Sequence, residues 1–155
     1  MIKLDNNTKN NLLAPCGLYC GVCGIFYAYK NNDSKLKEKL AKAYWTKPEL
    51  IECEGCLSNK RFNFCDVCDI RKCCADKKLA GCYQCDEFPC NKIKNYPYPL
   101  ATKYMINSTQ VRCELGDLEW IKWEENNWKC KKCGEINFRG AKFCHKCNEK
   151  LDYAL

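Results

Sequence analysis

The sequence predicts a small irregular α+β fold stabilised by metal, in which cysteine-rich loops carry a few short helices and a zinc ribbon closes the C-terminal end. Three observations predict it. Seventeen of the 155 residues are cysteine, most of them in pairs or triplets. Cys130-Lys-Lys-Cys133 and Cys144-His-Lys-Cys147 sit on short turns separated by ten residues, a spacing at which four thiolates converge on one tetrahedral ion. Between Cys53 and Cys90 branched apolar residues are scarce, Ile70 and Leu79 being two of only four, so metal must supply the stabilisation that burial does not.

Metal is preferred over disulfides because the first residues, Met1 to Pro15, contain no apolar run long enough for export or for crossing a bilayer. The expected location is the cytoplasm, without membrane association. Thiols stay reduced there, and clustered cysteines serve as metal ligands or redox groups. An odd cysteine count leaves at least one spare. The formal charge of +7 does not argue for nucleic acid, because each ion held by four thiolates carries a net −2, and about four such sites bring the total to about −1. From Lys129 to Lys150, seven Lys and Arg against Glu135 and Glu149 leave a modest basic patch.

In order along the chain, three units are expected: a cysteine-rich metal domain over residues 1–96, a helical connector over 97–127 and the ribbon over 128–155. The first cluster is Cys16-Gly-Leu-Tyr-Cys20-Gly-Val-Cys23, where glycines suit tight turns that aim neighbouring thiolates at one centre. Asp33-Ser34 opens a helix that presents Leu36, Leu40, Ala43 and Tyr44 on one face and ends near Trp45, before Pro48. Cys53 to Cys90 reads mostly as loop and contains a repeat. Cys65-Asp-Val-Cys68-Asp-Ile-Arg-Lys-Cys73 and Cys82-Tyr-Gln-Cys85-Asp-Glu-Phe-Pro-Cys90 share the same spacing. Each such unit offers three ligands and needs a fourth from elsewhere, so interleaved sites are expected, with Cys53-Glu-Gly-Cys56 the donor for the first unit. Further on, helices are expected over Asn91 to Tyr96, Leu100 to Val111 and Leu118 to Asn126, the last capped by Gly116-Asp117, with Trp120 and Trp123 as core residues.

These motifs together resemble the prokaryotic domain of unknown function numbered 3795. The resemblance runs from about residue 14 to 95 and rests on the Cys16 to Cys23 cluster, Cys53-Glu-Gly-Cys56, Cys68-Asp-Ile-Arg-Lys-Cys73 and the Cys82 to Cys90 unit. It implies a cysteine-rich metal-binding character and no assigned activity. The position after Cys73 in that pattern is usually small and apolar, so Cys74 is the first candidate for a spare thiol and Cys113 the second. The C-terminal unit is similar to short bacterial zinc ribbons that act as structural or contact modules. Trp128, Asn137 and the four cysteines also resemble the Ran-binding-protein-type finger, some members of which bind single-stranded RNA or ubiquitin. Gly134-Glu135 stands where the ubiquitin binders carry Thr-Phe, which argues against ubiquitin.

The expected ligand set is therefore Cys16, Cys20, Cys23, Cys53, Cys56, Cys65, Cys68, Cys73, Cys82, Cys85, Cys90, Cys130, Cys133, Cys144 and Cys147, holding about four zinc ions. The same thiolates also suit an iron–sulfur cluster in the N-terminal domain, for electron transfer or redox sensing. Cys16, Cys20 and Cys23 have the spacing of a radical enzyme's cluster, but the large barrel that such chemistry requires does not fit in this chain. The lone His145 lies between two ligands, and no phosphate-cradling glycine loop or serine elbow is present, so the reading favours a non-enzyme. The function expected is macromolecular interaction, with a protein partner. Single-stranded RNA contact through Phe138 and Arg139 is the alternative.

Overall fold

The structure is a computed structural model and describes residues 5–153. It is mostly helical. Among the described residues the β pairing outside any named strand consists of two isolated bridges, Lys129 with Ile136 and Phe143 with Lys150, both in the ribbon. The β content of the expected α+β class is thus confined to ribbon turns too short to build a sheet.

Two short helices flank the first cysteine cluster: α1 (Asn6–Asn11) and α2 (Gly24–Lys30). The next, α3 (Ser34–Ala43), starts as expected, because Asp33 accepts a hydrogen bond from the Leu36 backbone N–H and so satisfies one orphan donor of the first turn. Its inward face is Leu36, Leu40 and Ala41 instead of running on through Ala43 and Tyr44, both of which are exposed. That face packs on Ile25, Ala28, Ile51 and Phe62.

The Cys53 to Cys90 stretch is less loop-like than expected. It contains α4 (Asn63–Asp66) and the two-turn α5 (Asp69–Asp76), followed by α6 (Asn91–Lys94) just beyond it. In α5, Asp69 lies in the first turn, where a carboxylate complements the helix dipole, and Ile70 and Cys74 occupy the buried face one turn apart. Cysteine density had masked a helical period.

The last helical element, α7 (Pro99–Asn127), is broken at Gly116, whose φ of 74° and ψ of 171° lie outside helical geometry. Glycine adopts that left-handed φ without the steric penalty that a Cβ imposes. The two arms fold back beside each other. Arg112 Nε meets Asp117 at 2.7 Å, Trp120 Nε1 donates to Ser108 Oγ at 2.8 Å, and Ser108 Oγ and Tyr104 OH donate to Glu124 at 2.8 and 2.7 Å. The stretch expected as a helical connector packed on the cysteine-rich domain is a helical hairpin. Trp120 is fully buried against Leu12, Tyr19, Val22 and Phe26, and the hairpin's first arm reaches the cysteine loops through Thr109 Oγ1, which donates to Cys16 O, and Arg112, which donates to Ala14 O. No helix among the described residues is long and apolar enough to cross a membrane.

Candidate metal centres

The ribbon is built from two matching turns. In the first, Cys130 N–H donates to Glu135 O and Gly134 N–H donates to Cys130 O, at 2.8 and 2.9 Å; in the second, Cys144 N–H donates to Glu149 O and Asn148 N–H donates to Cys144 O, at the same two distances. The residue after each cysteine pair, Gly134 or Asn148, has positive φ, at 77° and 56°. Glycine and asparagine are the residues that tolerate it. Asn137 ties the turns together: buried, it accepts the His145 backbone N–H at 3.1 Å and donates to Glu135 O at 3.1 Å.

This framework brings the Sγ atoms of Cys130, Cys133, Cys144 and Cys147 within 4.8 Å of one another. Cys130 and Cys147 are 3.7 Å apart, and Cys133 and Cys144 3.6 Å. Zinc–sulfur bonds of about 2.3 Å place tetrahedron edges at about 3.8 Å, so the four thiols already have the spacing that one ion requires. Their protonation fits the same role. Burial opposes ionisation of Cys144, but N–H groups of Cys147 and Lys146, the Cys133 thiol and Asn137 outweigh it and hold the thiol low, at about 6. At Cys133 the Glu135 N–H favours the thiolate, yet burial and the three facing sulfurs push the group up to about 12. Four sulfurs this close repel as thiolates, and a divalent cation removes the conflict.

The N-terminal cysteines are placed differently. All seventeen are free thiols. Three Cys-x-x-Cys turns repeat one hydrogen bond, in which the N–H of Cys23, Cys68 and Cys85 donates to the carbonyl of Cys20, Cys65 and Cys82, at 3.0, 3.3 and 3.0 Å. Cys53 and Cys56 are buried beside the first cluster, and Gly55 N–H donates to Cys53 Sγ at 3.3 Å. These thiols lie within electrostatic reach of one another. Burial and then the neighbouring charges of Cys56 and Cys68 push Cys16 up to about 12. Burial, followed by Cys23, Cys56, Cys53 and Cys68, also raises Cys65. Cys20 is raised first by its hydrogen bond to Cys56 and then by burial. Even so, among the described residues no three His, Cys, Asp or Glu ligand atoms outside the ribbon lie within 4.8 Å of one another. Cys73 and Cys90 cap or lie on helices that line a cleft with Cys74, Cys82 and Cys85.

Of the two spare-thiol candidates, Cys113 is exposed on α7, whereas Cys74 is buried with its Sγ 3.6 Å from Cys82 Sγ. The thiol that Cys74 faces, eight residues on, lies in the other half of the repeat.

Phe138 and Arg139, the residues of the alternative RNA-contact reading, form the joint between the C-terminal unit and the helices. Arg139 N–H donates to Val22 O at 2.7 Å, while its guanidinium donates to Tyr19 O at 3.2 Å, pairs with the fully buried Glu124 at 3.3 Å and stacks over Tyr104. Phe138 is half-buried, its ring 5.5 Å from that of Tyr27, which also faces His145 at 5.2 Å. No signal local to the sequence distinguishes this internal use of an arginine and an aromatic from a nucleic-acid surface.

Neither a curated protein nor a solved structure matches the chain. Residues 12–95 match the family described as protein of unknown function (DUF3795), a span of more than half of the chain that takes in the cysteine turns just described, and the protein belongs to that family.

Proposed function

We propose that the protein is a multi-site zinc protein whose metal-held loops form a docking module for a protein partner in a reducing compartment. The observation that carries the metal reading is the ribbon's four sulfurs, at the spacing of a zinc tetrahedron before any ion is considered. When bound, zinc would be held by Cys130, Cys133, Cys144 and Cys147 and would supply structure, since four protein ligands leave no open position for substrate. The remaining zinc ions, about three, fall to the turns between Cys16 and Cys90. Support for a partner comes from the surface beside those turns, where Trp45 is 96% exposed and Tyr44 and Phe64 contact each other in the open.

The wider spacing of the N-terminal thiols favours a second reading for that half alone. An iron–sulfur cluster interposes sulfide between its irons and spaces its thiolates further apart than a lone ion does. Elemental analysis of anaerobically purified protein separates the two. Colourless protein with about four zinc per chain supports the first, whereas brown protein with iron, inorganic sulfide and one zinc supports the second. Protein free of both metals overturns both.

A further inference from the structure

Cys74 is the thiol that the family resemblance leaves without a role, and the structure gives it a setting. Helix α5, the Cys82–Gln84 turn and α6 enclose a cleft of about 660 Å³ whose lining includes Cys73, Cys74, Cys82, Cys85 and Cys90. Cys74 and Cys82 are both buried, and their Sγ atoms are 3.6 Å apart, the spacing of the two close ribbon pairs at 3.6 and 3.7 Å; among the described residues no third thiol lies within 4.8 Å of both, so Cys85 and Cys90 have to close on this pair for one ion to be held by all four. A disulfide would bring the pair to about 2.0 Å, whereas two ligands of one zinc stand at about 3.8 Å.

We propose that Cys74 is the fourth ligand of a zinc site in this cleft, completing the Cys82, Cys85 and Cys90 unit. The repeat explains why one is needed, since each half supplies three thiols. The spacing of Cys53-Glu-Gly-Cys56 offers the first half its donor, and both thiols are buried. The second half has Cys74 at its wall. Lys77 Nζ, paired with Glu87 at 2.6 Å, also lies 3.7 Å from Cys85 Sγ and donates a hydrogen bond to it. Ile70, Ile93 and Phe88 close the apolar side of the cleft. Such a shell limits water and protects metal–thiolate bonds.

The inference rests on the proposed zinc content of the N-terminal half, and its test separates the two. Native mass spectrometry counts zinc in the full chain and in Cys74→Ser, with Cys113→Ser as the exposed control. In parallel, alkylation of the zinc-loaded wild-type protein, before and after chelation, is mapped by peptide. The expected result is one ion fewer in Cys74→Ser, none lost in Cys113→Ser, and Cys74 and Cys82 shielded from alkylation until chelator is added. A wild type with more than one zinc and an unchanged count in Cys74→Ser overturns this assignment alone. So does a Cys74–Cys82 disulfide in the wild type, or alkylation of Cys74 in the loaded protein as fast as that of Cys113. A wild type carrying only the ribbon ion overturns the zinc reading of the N-terminal half, and this site with it. The alkylation arm uses the wild-type protein, so misfolding of the variant does not protect the proposal.

Discussion

Arg139→Ala is expected to destabilise the protein by about 3 kcal/mol, a figure derived from the contacts of a single side chain. Glu124 is fully buried, and its carboxylate is held by Arg139 at 3.3 Å, Tyr104 OH at 2.7 Å and Ser108 Oγ at 2.8 Å. Removing one partner of a buried ion pair costs roughly 3–5 kcal/mol, because the other charge is left desolvated. Two hydroxyl donors remain here and lower the cost, while loss of the bond to Tyr19 O and of stacking on Tyr104 raises it again. In a chain of this length about 3 kcal/mol corresponds to a fall in Tm of roughly 6–12 °C. Denaturant unfolding at fixed free zinc reads the loss directly. Adding Glu124→Gln to Arg139→Ala is expected to recover part of it, since the orphaned charge is gone. A single variant within about 0.5 kcal/mol of wild type would falsify the view that Arg139 locks the ribbon to the hairpin, and would return it to the pool of surface residues free to touch RNA.

Other expectations follow from particular positions. Gly17 has a φ of +84°, and a Cβ there would meet Thr109 Oγ1 and Met105 O; Gly17→Ala should cost upward of about 1–2 kcal/mol through strain and overpacking, and an unchanged melting curve would contradict that geometry. Trp45 is 96% exposed, so Trp45→Ala should change stability by less than about 0.5 kcal/mol, and a larger loss would show that the side chain is covered. Zinc affinity of the ribbon should rise at least about tenfold per pH unit near neutrality. The sign follows from Cys133, which is held up to about 12 without an ion and so must release its proton on binding, whereas Cys144, held at about 6, is already largely ionised. A pH-independent competition titration would contradict it.

What was legible in the sequence was mainly what is local. The C-terminal four-cysteine group could be read because its thiols, its turn residues Gly134 and Asn148 and its bridging Asn137 all lie within twenty residues of one another. The α3 cap at Asp33 and the break at Gly116 were readable for the same reason. The return of α7 on itself was not, because the bonds from Tyr104 and Ser108 to Glu124 join polar residues that carry no apolar period. Helix α5 was hidden because its cysteines were counted as ligands and not as helix-face residues. The proximity of Cys74 to Cys82 could not be read either, since it is set by the packing of α5 on the following turn. The internal contacts of Arg139 and Phe138 could not be read for a related reason: Val22, Tyr19 and Tyr27, which they touch, lie more than a hundred residues upstream.

Three apolar clusters fill the interior: the one containing Trp120 joins the N-terminal loops to the hairpin, the other two take in Phe62 and Ile70 from residues 53–90, and on the zinc reading metal–thiolate bonds supply the rest of the stabilisation over 53–90 and 130–147. A structural zinc site contributes on the order of 10 kcal/mol of folding free energy at neutral pH, comparable to the whole stability of an ordinary domain. Amide hydrogen exchange, followed by peptide before and after chelation, tests that division of labour most directly. The account predicts that peptides from 53–90 and 130–150 lose their protection when the ions are removed, and that those around Trp120 retain more of theirs. Protection unchanged over 53–90 and 130–150 in verified metal-free protein would contradict it.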